Sequence, residues 1–475
     1  MTAPLPPDFI AEIEKTLPAP TVPVLLTALD ATPPVSVRLN SRKPCDAPPF
    51  GSESPVAWCA EQGRYLDSRP LFTLMPEMHG GAFYVQEAAS MIHQLLVSRI
   101  CAGSPPRVLD ICAAPGGKTT AMLNALPDGS LVVANEQSPQ RAAVLRENLV
   151  KYGYPGVAVT CGDAREFGAM EGMFDILAVD APCSGEGMMR KEEVARTQWT
   201  PGLVESCARL QGEILDGALP ALRPGGWLLY STCTLNTREN EEMARRLIDD
   251  HGLLPVTLLT PGEMQAFGIT PGLTLPDGTP GHGMRFIPGV SRSEGLYVAV
   301  FRKPGDTDGQ EAAVFHRAPA IPAKRRKKED VKVPDISPCR EWLVRGEEYD
   351  WEYAEGSVSA LPQGLKAIVG ALPPQVRLLS AGIETATLKG KDLIPAPPLA
   401  LSTALAPGKF EEVELDRETA LQYLRRESLT LPPGTPRGMV LVKHNGIPLG
   451  WVKNLGNRAN NLWPAPWRIK LRQLP

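Results

Sequence analysis

No run of about 18 consecutive apolar residues occurs in the chain, so a membrane-spanning helix is not expected. The nine cysteines form no Cys-x-x-Cys pair or other zinc-like spacing, and no metal site is expected. The opening MTAPLPPDFIAEIEKTL has neither a basic start nor an apolar segment of signal length, so the thiols fit a reducing cytosol. Neither sign of charge dominates: 49 Lys and Arg stand against 53 Asp and Glu, a net charge of −4. That excludes a uniformly basic nucleic-acid binder but not a local basic patch. Two phosphate motifs are missing as well. G-x-G-x-x-G does not occur, and the phosphate-loop pattern needs a glycine five positions before Gly117, where Cys112 stands. There is no internal repeat.

What is present describes a globular protein of several domains: 475 residues, 21% charged and 43% hydrophobic. Residues 1–79 read as a small α+β, RRM-like module. It opens on an amphipathic helix (8–17, with Phe9, Ile10, Ile13 and Leu17 on one face) and includes a strand VSVRLN (35–40). Arg38, Lys43 and Arg64 are read there as solvated surface charge in preference to phosphate contacts. From residue 80 to 304, strands (107–112, 131–136, 157–161, 174–180, 226–232) alternate with helices (118–126, 138–152, 200–222), which predicts a doubly wound, mostly parallel sheet. Residues 305–335 form a basic linker containing Lys324, Arg325, Arg326, Lys327 and Lys328. Residues 336–430 are a further α+β region without a motif. Residues 431–475 carry a hairpin around Asn445-Gly446. Its last stretch has seven basic residues (Arg437, Lys443, Lys453, Arg458, Arg468, Lys470, Arg472), no acid, and Trp451, Trp463 and Trp467. Cations interleaved with aromatics suit RNA, by phosphate neutralisation and base stacking, with Lys443, Lys453, Arg458 and Arg468 as the candidates. A tryptophan core with a basic rim is the alternative.

Two apolar runs organise the middle domain. FDILAVDAPC (174–183) reads as a strand buried on both faces that delivers Asp180 and Cys183 at its end. GWLLYSTC (226–233) repeats the design with Thr232 and Cys233. Ligands of open α/β sheets sit beyond the carboxyl ends of the strands, so both thiols are expected at one crevice. In VLDICAAPGGKTT (108–120), Gly116 and Gly117 allow close approach of the backbone, and the next helix offers free N–H groups. The second strand ends in Glu136, suited to ribose hydroxyls, and the third in Asp163, suited to an adenine amino group. A glycine turn and two strand-end acids with no phosphate site describe S-adenosylmethionine better than NAD.

Two thiols and an acid at such a site suit methylation of cytosine C5, which needs a thiolate on C6 before it can attack a methyl group. Asp180 would hold the N3 and N4 edge of the ring. Spacing alone leaves open which cysteine attacks. Cys112, Cys161 and Cys207 are read as inert, buried thiols.

ICAAPGGKTT, DAPCSGEGMMRK (180–191) and STCTLNTRENE (231–241) resemble the signature motifs of the Nop/Sun family of RNA cytosine-5 methyltransferases, and FYVQEAASM (83–91) resembles the segment that leads into their catalytic domain. The resemblance implies a Rossmann-like class I methyltransferase fold over roughly 80–303, Cys233 as attacking thiol and Cys183 as the release group. It implies Cys112, Ala113, Ala114, Pro115, Gly116, Gly117, Lys118, Glu136, Arg141, Asp163 and Asp180 on the S-adenosylmethionine side, with Lys118 also approaching the cytosine. GWVKNLGNRANNLWPAPWRI is similar to the PUA-like RNA-binding end of the bacterial RsmF-type branch, which implies 16S ribosomal RNA or the small ribosomal subunit as partner. A monomer in the cytoplasm is expected. In RFIPGVSRSEGLYVAVFRK (285–303) the histidine that many relatives carry near Gly289 is missing. Two rivals fit less well. An amino-group methyltransferase would carry Asn/Asp-Pro-Pro-Tyr/Phe where Asp180-Ala-Pro-Cys183 stands, and a non-catalytic RNA-binding assembly factor would not need the acids and both thiols.

Overall fold

The computed structural model describes residues 3–45, 50–51, 53–101, 103–305 and 335–471. The basic run Lys324 to Lys328 and Arg472 lie outside the described residues.

The N-terminal module holds a four-stranded sheet in the order β2-β3-β1-β4, formed by β1 (Val35–Leu39), β2 (Glu53–Pro55), β3 (Gly63–Leu66) and β4 (Phe83–Val85). β4 lies past residue 79 and pairs with β1, so this sheet reaches into the stretch expected to begin the catalytic domain. Phe9 and Ile13 of the first helix are buried as its pattern requires. A second helix, Thr21–Asp30, occupies a proline-rich stretch that reads as loop and strand from the sequence. Its Val22, Leu25, Ala28 and Leu29 are buried, and tertiary packing outweighs local propensity there. Arg38 and Lys43 are 1% and 7% exposed, which corrects their reading as solvated charge.

The central sheet has the expected doubly wound core. Strands β5 (Arg107–Asp110), β6 (Leu131–Asn135), β7 (Val157–Cys161), β8 (Phe174–Asp180) and β9 (Leu222–Thr232) run parallel in the order β9-β8-β5-β6-β7. Every residue of β6 is buried, because helices cover both faces of the sheet. β9 begins at Leu222, earlier than the glycine pair suggests, and the preceding helix stops at Ala218. The chain leaves β5 towards β6 and later returns to its other side as β8, so a crevice opens at the ends of β5 and β8. Short strands β10 (Leu254–Val256), β11 (Thr270–Pro271) and β12 (Met284–Phe286) extend the sheet around β13 (Leu296–Arg302), which is antiparallel to β9.

The region after residue 335 forms a second antiparallel sheet, β14 (Tyr349–Ala354), β15 (Ser357–Pro362), β17 (Ile383–Lys389) and β18 (Asp392–Pro395). Between β15 and β17, β16 (Arg377–Ala381) leaves it and pairs antiparallel with β7, closing one edge of the catalytic sheet.

The last sheet starts at Glu411, not at residue 431, because β19 (Glu411–Glu414) lies parallel to β20 (Gly438–His444). The hairpin from β20 to β21 (Ile447–Asn454) turns at Asn445 and Gly446, with φ of 50° and 74° as an Asn-Gly turn demands, and β22 (Ala459–Asn461) follows. Trp451 and Trp463 are each 1% exposed. Trp463 packs against Tyr423 and Trp467, while Trp451 packs against Phe410 with the rings tilted by 56° and donates its indole N–H to Ala396 O (2.8 Å). These rings are core, so the expectation that this module's tryptophans stack on bases fails for both.

Candidate active site

Asp180 ends β8 directly opposite Ser231 of β9. Ser231 Oγ donates to its Oδ1 (2.9 Å), and Lys118 Nζ donates to Oδ2 (2.7 Å). Lys118 reaches this point from the first turn of the helix Gly117–Ala125, which starts after Gly116 at φ 107°, a left-handed backbone that favours glycine. Burial alone would lower the Lys118 pKa, but the Asp180 carboxylate outweighs it and holds the ammonium above its ordinary value.

The two strand-end thiols meet. Cys183 Sγ lies 3.1 Å from Cys233 Sγ. The hydrogen bond between the two thiols lowers the Cys233 pKa, while burial and Asp180 oppose the shift and Lys118 supports it. Cys183 is raised by the same contact and by burial. Lys118 acts on Cys233 in particular, so Cys233 is the thiol of the pair whose ionisation these surroundings favour.

A polar frame fixes the sulfurs. The buried Glu239 carboxylate accepts hydrogen bonds from Ser184 N (3.0 Å), Gln211 Nε2 (2.7 Å) and Asn236 Nδ2 (2.8 Å). Gln211 also donates to Pro182 O (2.9 Å), so the Pro182–Ser184 loop is held on both sides. Gly187 N donates to Cys233 O (2.9 Å), and Thr232 Oγ1 to Asn240 Oδ1 (2.6 Å). Glu186 accepts from Trp199 Nε1 (2.9 Å) and Leu235 N (2.9 Å). Sequence reasoning assigned none of Glu186, Gln211, Asn236 or Glu239. Asn236 and Glu239 have one signal, the density of amide and carboxylate residues after the Cys233 strand; Glu186 and Gln211 lie before it and have none of that kind.

The glycine turn lies beside this pair. Ala113 N donates to Asn135 O (2.8 Å), and Asn135 Nδ2 ties Ile111 O (3.1 Å) to Gly162 O (3.0 Å), which aligns the ends of three strands. Ala113 and Ala114 are buried at the turn. Arg141 Nη2 donates to Ala114 O (2.8 Å), Asn148 Nδ2 to Pro115 O (2.8 Å), and the Arg141 guanidinium sits 3.3 Å from Glu136. Burial pushes the Cys112 thiol far up, although Cys112, Cys161 and Cys207 are each only partly buried, short of the full burial expected of them. Asp110, unassigned from sequence, is pushed up to about 7 by burial although Thr119 Oγ1 donates to it (2.6 Å). Asp163 is engaged by Arg165 (2.6 Å) and held below its ordinary value by that hydrogen bond. Glycine turn, Glu136 and Asp163 thus form one arc along the ends of β5, β6 and β7, and its carboxylate acceptors fit an adenosyl group with hydroxyl and amino hydrogens to offer.

The C-terminal candidates lie elsewhere on the molecule. Lys453, Arg458 and Arg468 are exposed, whereas Lys443 is partly buried and paired with Glu412 (3.0 Å). No helix among the described residues is long and apolar enough to cross a membrane.

Comparison with known proteins places these features. Residues 104–302 match the family model "16S rRNA methyltransferase RsmB/F". Residues 5–88 match the N-terminal domain of 16S rRNA methyltransferase RsmF, and 410–469 the RsmF PUA domain. The chain is 32% identical to ribosomal RNA small subunit methyltransferase F of Escherichia fergusonii, over 90% of this chain and 89% of that one. It is also 32% identical to the protein of the same name from Serratia proteamaculans, over 86% and 84%. Among solved structures, a methyltransferase homologue from Pyrococcus horikoshii is 26% identical, with a TM-score of 0.52 over 62% of this chain and 94% of that one.

Proposed function

Because the chain belongs to the RsmB/F family of 16S rRNA methyltransferases, we propose that it moves the methyl group of S-adenosylmethionine to C5 of a cytosine in small-subunit ribosomal RNA, through a transient bond between Cys233 Sγ and C6. The observation that carries this reading is the 3.1 Å approach of the two sulfurs beside the Lys118–Asp180 pair.

Bound S-adenosylmethionine would supply an electrophilic methyl group. Glu136 and Asp163 would hold its adenosyl end, and the 112–117 turn would face its amino-acid end. Cys233, kept as the thiolate by Cys183 and Lys118, adds to C6 and turns C5 into an enamine carbon. Asp180 and Lys118 hold the N3 and N4 edge of the ring, so that the electron density pushed into it at addition meets a fixed cation. Once C5 carries the methyl group, with S-adenosylhomocysteine as the leaving group, the C5 proton passes to water, the electron pair restores the C5–C6 double bond, and Cys233 departs as thiolate. Cys183, freed from its hydrogen bond while Cys233 is bonded to carbon, assists that release. The base must leave its stack to reach the thiols. An amino-group methyltransferase would give neither thiol a role. A ribosomal RNA substrate implies action in the cytoplasm.

Bisulfite mapping of 16S ribosomal RNA from cells with and without this protein tests the reading. At least one cytosine should be protected only when the protein is present; identical maps would reject the substrate.

A further inference from the structure

A buried cation without a counter-charge sits where the N-terminal module meets the catalytic domain. Arg38 of β1 is 1% exposed. Its Nε donates to Gln86 Oε1 (2.7 Å) and its Nη2 to Thr120 Oγ1 (2.6 Å), both neutral acceptors. Its Nη1 is buried without a hydrogen-bond partner. The titratable groups that act on it are Tyr152, Cys59 and Tyr84, none a carboxylate, and burial lowers its pKa. Buried charges are ordinarily paired, so this fork is one acceptor and one anion short.

Arg38 also lines a cavity of about 230 Å³, with Asn40, Tyr84, Lys151 and Tyr152 on its polar side and Phe83 and Val85 on its apolar side. That exceeds the ~30 Å³ share of one water several-fold. Lys151 adds a second cation at the wall, paired with Glu147 and 5.5 Å over the Trp467 ring of the last module. Lys43 is buried nearby and donates to Lys151 O (2.6 Å), but burial pulls its ammonium down to about 7, so it adds no full charge. The wall is shared with the glycine turn, since Gln86 Nε2 donates to Gly117 O (3.0 Å) and Tyr84 OH to Pro115 O (3.3 Å).

We infer that this cavity is a phosphate-binding site that takes a backbone phosphate of the RNA strand, with Arg38 Nη1 as its buried donor and Lys151 as its second cation. The inference rests on the chain acting on RNA. A guanidinium whose other nitrogens are fixed by neutral partners offers a pre-oriented donor to a phosphate oxygen, and the anion supplies the missing charge. RNA seated there would touch the N-terminal module, the catalytic helix 139–152 and the last module together.

The test uses the full chain in two arms. In the first, inorganic phosphate is compared with chloride at matched ionic strength by thermal unfolding. Phosphate should protect the wild type but neither Arg38→Met nor Lys151→Glu. In the second, binding of a single-stranded 16S-derived oligonucleotide is followed against salt, and each variant should lower the slope of log K by about 0.7, one phosphate contact. Arg38→Met removes buried hydrogen bonds and can fail to fold; Lys151→Glu, partly exposed, then decides both arms. A wild type that binds RNA but shows no protection, with slopes unchanged in folded variants, overturns the site and leaves a water-filled cavity. Protection with unchanged slopes overturns the RNA source in favour of free phosphate. A wild type that binds no RNA overturns the proposed substrate, and the RNA source with it.

Discussion

Lys118 Nζ stands 2.7 Å from Asp180 Oδ2, across the crevice where the thiols of 183 and 233 meet. In the proposed reaction one ion pair would serve two ends: it would orient an acid towards the bound base and set a positive charge beside the thiol that must ionise. Neither residue alone would do both.

Replacing Cys233 by Ala should lower methyl transfer by on the order of 10⁴-fold or more, as loss of a covalent nucleophile does. Affinity for S-adenosylmethionine, followed by calorimetry, should stay within about twofold of wild type, because the adenosyl arc at Glu136 and Asp163 does not include this thiol. Unchanged turnover would remove Cys233 from the chemistry.

The rate should rise with pH as Cys233 ionises, and Lys118 fixes where. Cys233 is lowered by its Cys183 hydrogen bond and helped by Lys118, so Lys118→Met should raise the thiol pKa and move the limb to higher pH. Alkylation of Cys233 by iodoacetamide against pH reads this without turnover. A limb that stays in place would mean that Lys118 does not act on the thiol.

The basic rim of the last module should act on RNA alone. Changing Lys453, Arg458 and Arg468 together to Glu should weaken RNA binding at least tenfold near 150 mM salt and flatten its salt dependence by about 0.7 per lost contact. Lys443→Ala should do less, since Glu412 already neutralises that ammonium. Filter binding over a salt series separates these outcomes, and equal affinities would exclude the rim from the RNA surface.

Stability of the catalytic domain should depend on a buried ion pair outside the reaction. Arg285 Nε donates to Glu241 Oε1 (2.6 Å), and the two side chains are 1% and 0% exposed. Arg285→Met leaves Glu241 charged and unpaired, a loss of about 3–5 kcal/mol. The unfolding midpoint in a thermal scan should fall clearly; no change would show that the carboxylate finds another partner.

The parts of this molecule that read directly from sequence share one property: local pattern and tertiary environment agree. β6 is apolar up to its last residue, Asn135, and buried throughout, and Asn445-Gly446 turns as those residues prefer. The thiols and Asp180 were legible because each follows an apolar strand, and strand ends converge. Arg38 was not legible. A lone arginine in a short strand reads as surface, and its partners Gln86 and Thr120 lie 48 and 82 residues away. The Glu239 frame was hidden in a loop where every neighbour is polar. β16 was missed because its pairing with β7 crosses more than 200 residues, and its half-exposed sequence favours no particular sheet. The tryptophans misled because composition counts rings without saying which way they face.

The central claim is a sulfur–carbon bond between Cys233 and the base. Cys183→Ala protein incubated with S-adenosylmethionine and substrate RNA, digested with protease and nuclease, and examined by mass spectrometry tests it most directly. The account predicts that the peptide containing Cys233 carries a methylated cytidine nucleotide, because release is slowed with the bond intact. Free Cys233 in every peptide while methylated RNA forms at the wild-type rate, or a nucleotide on another residue, would contradict it.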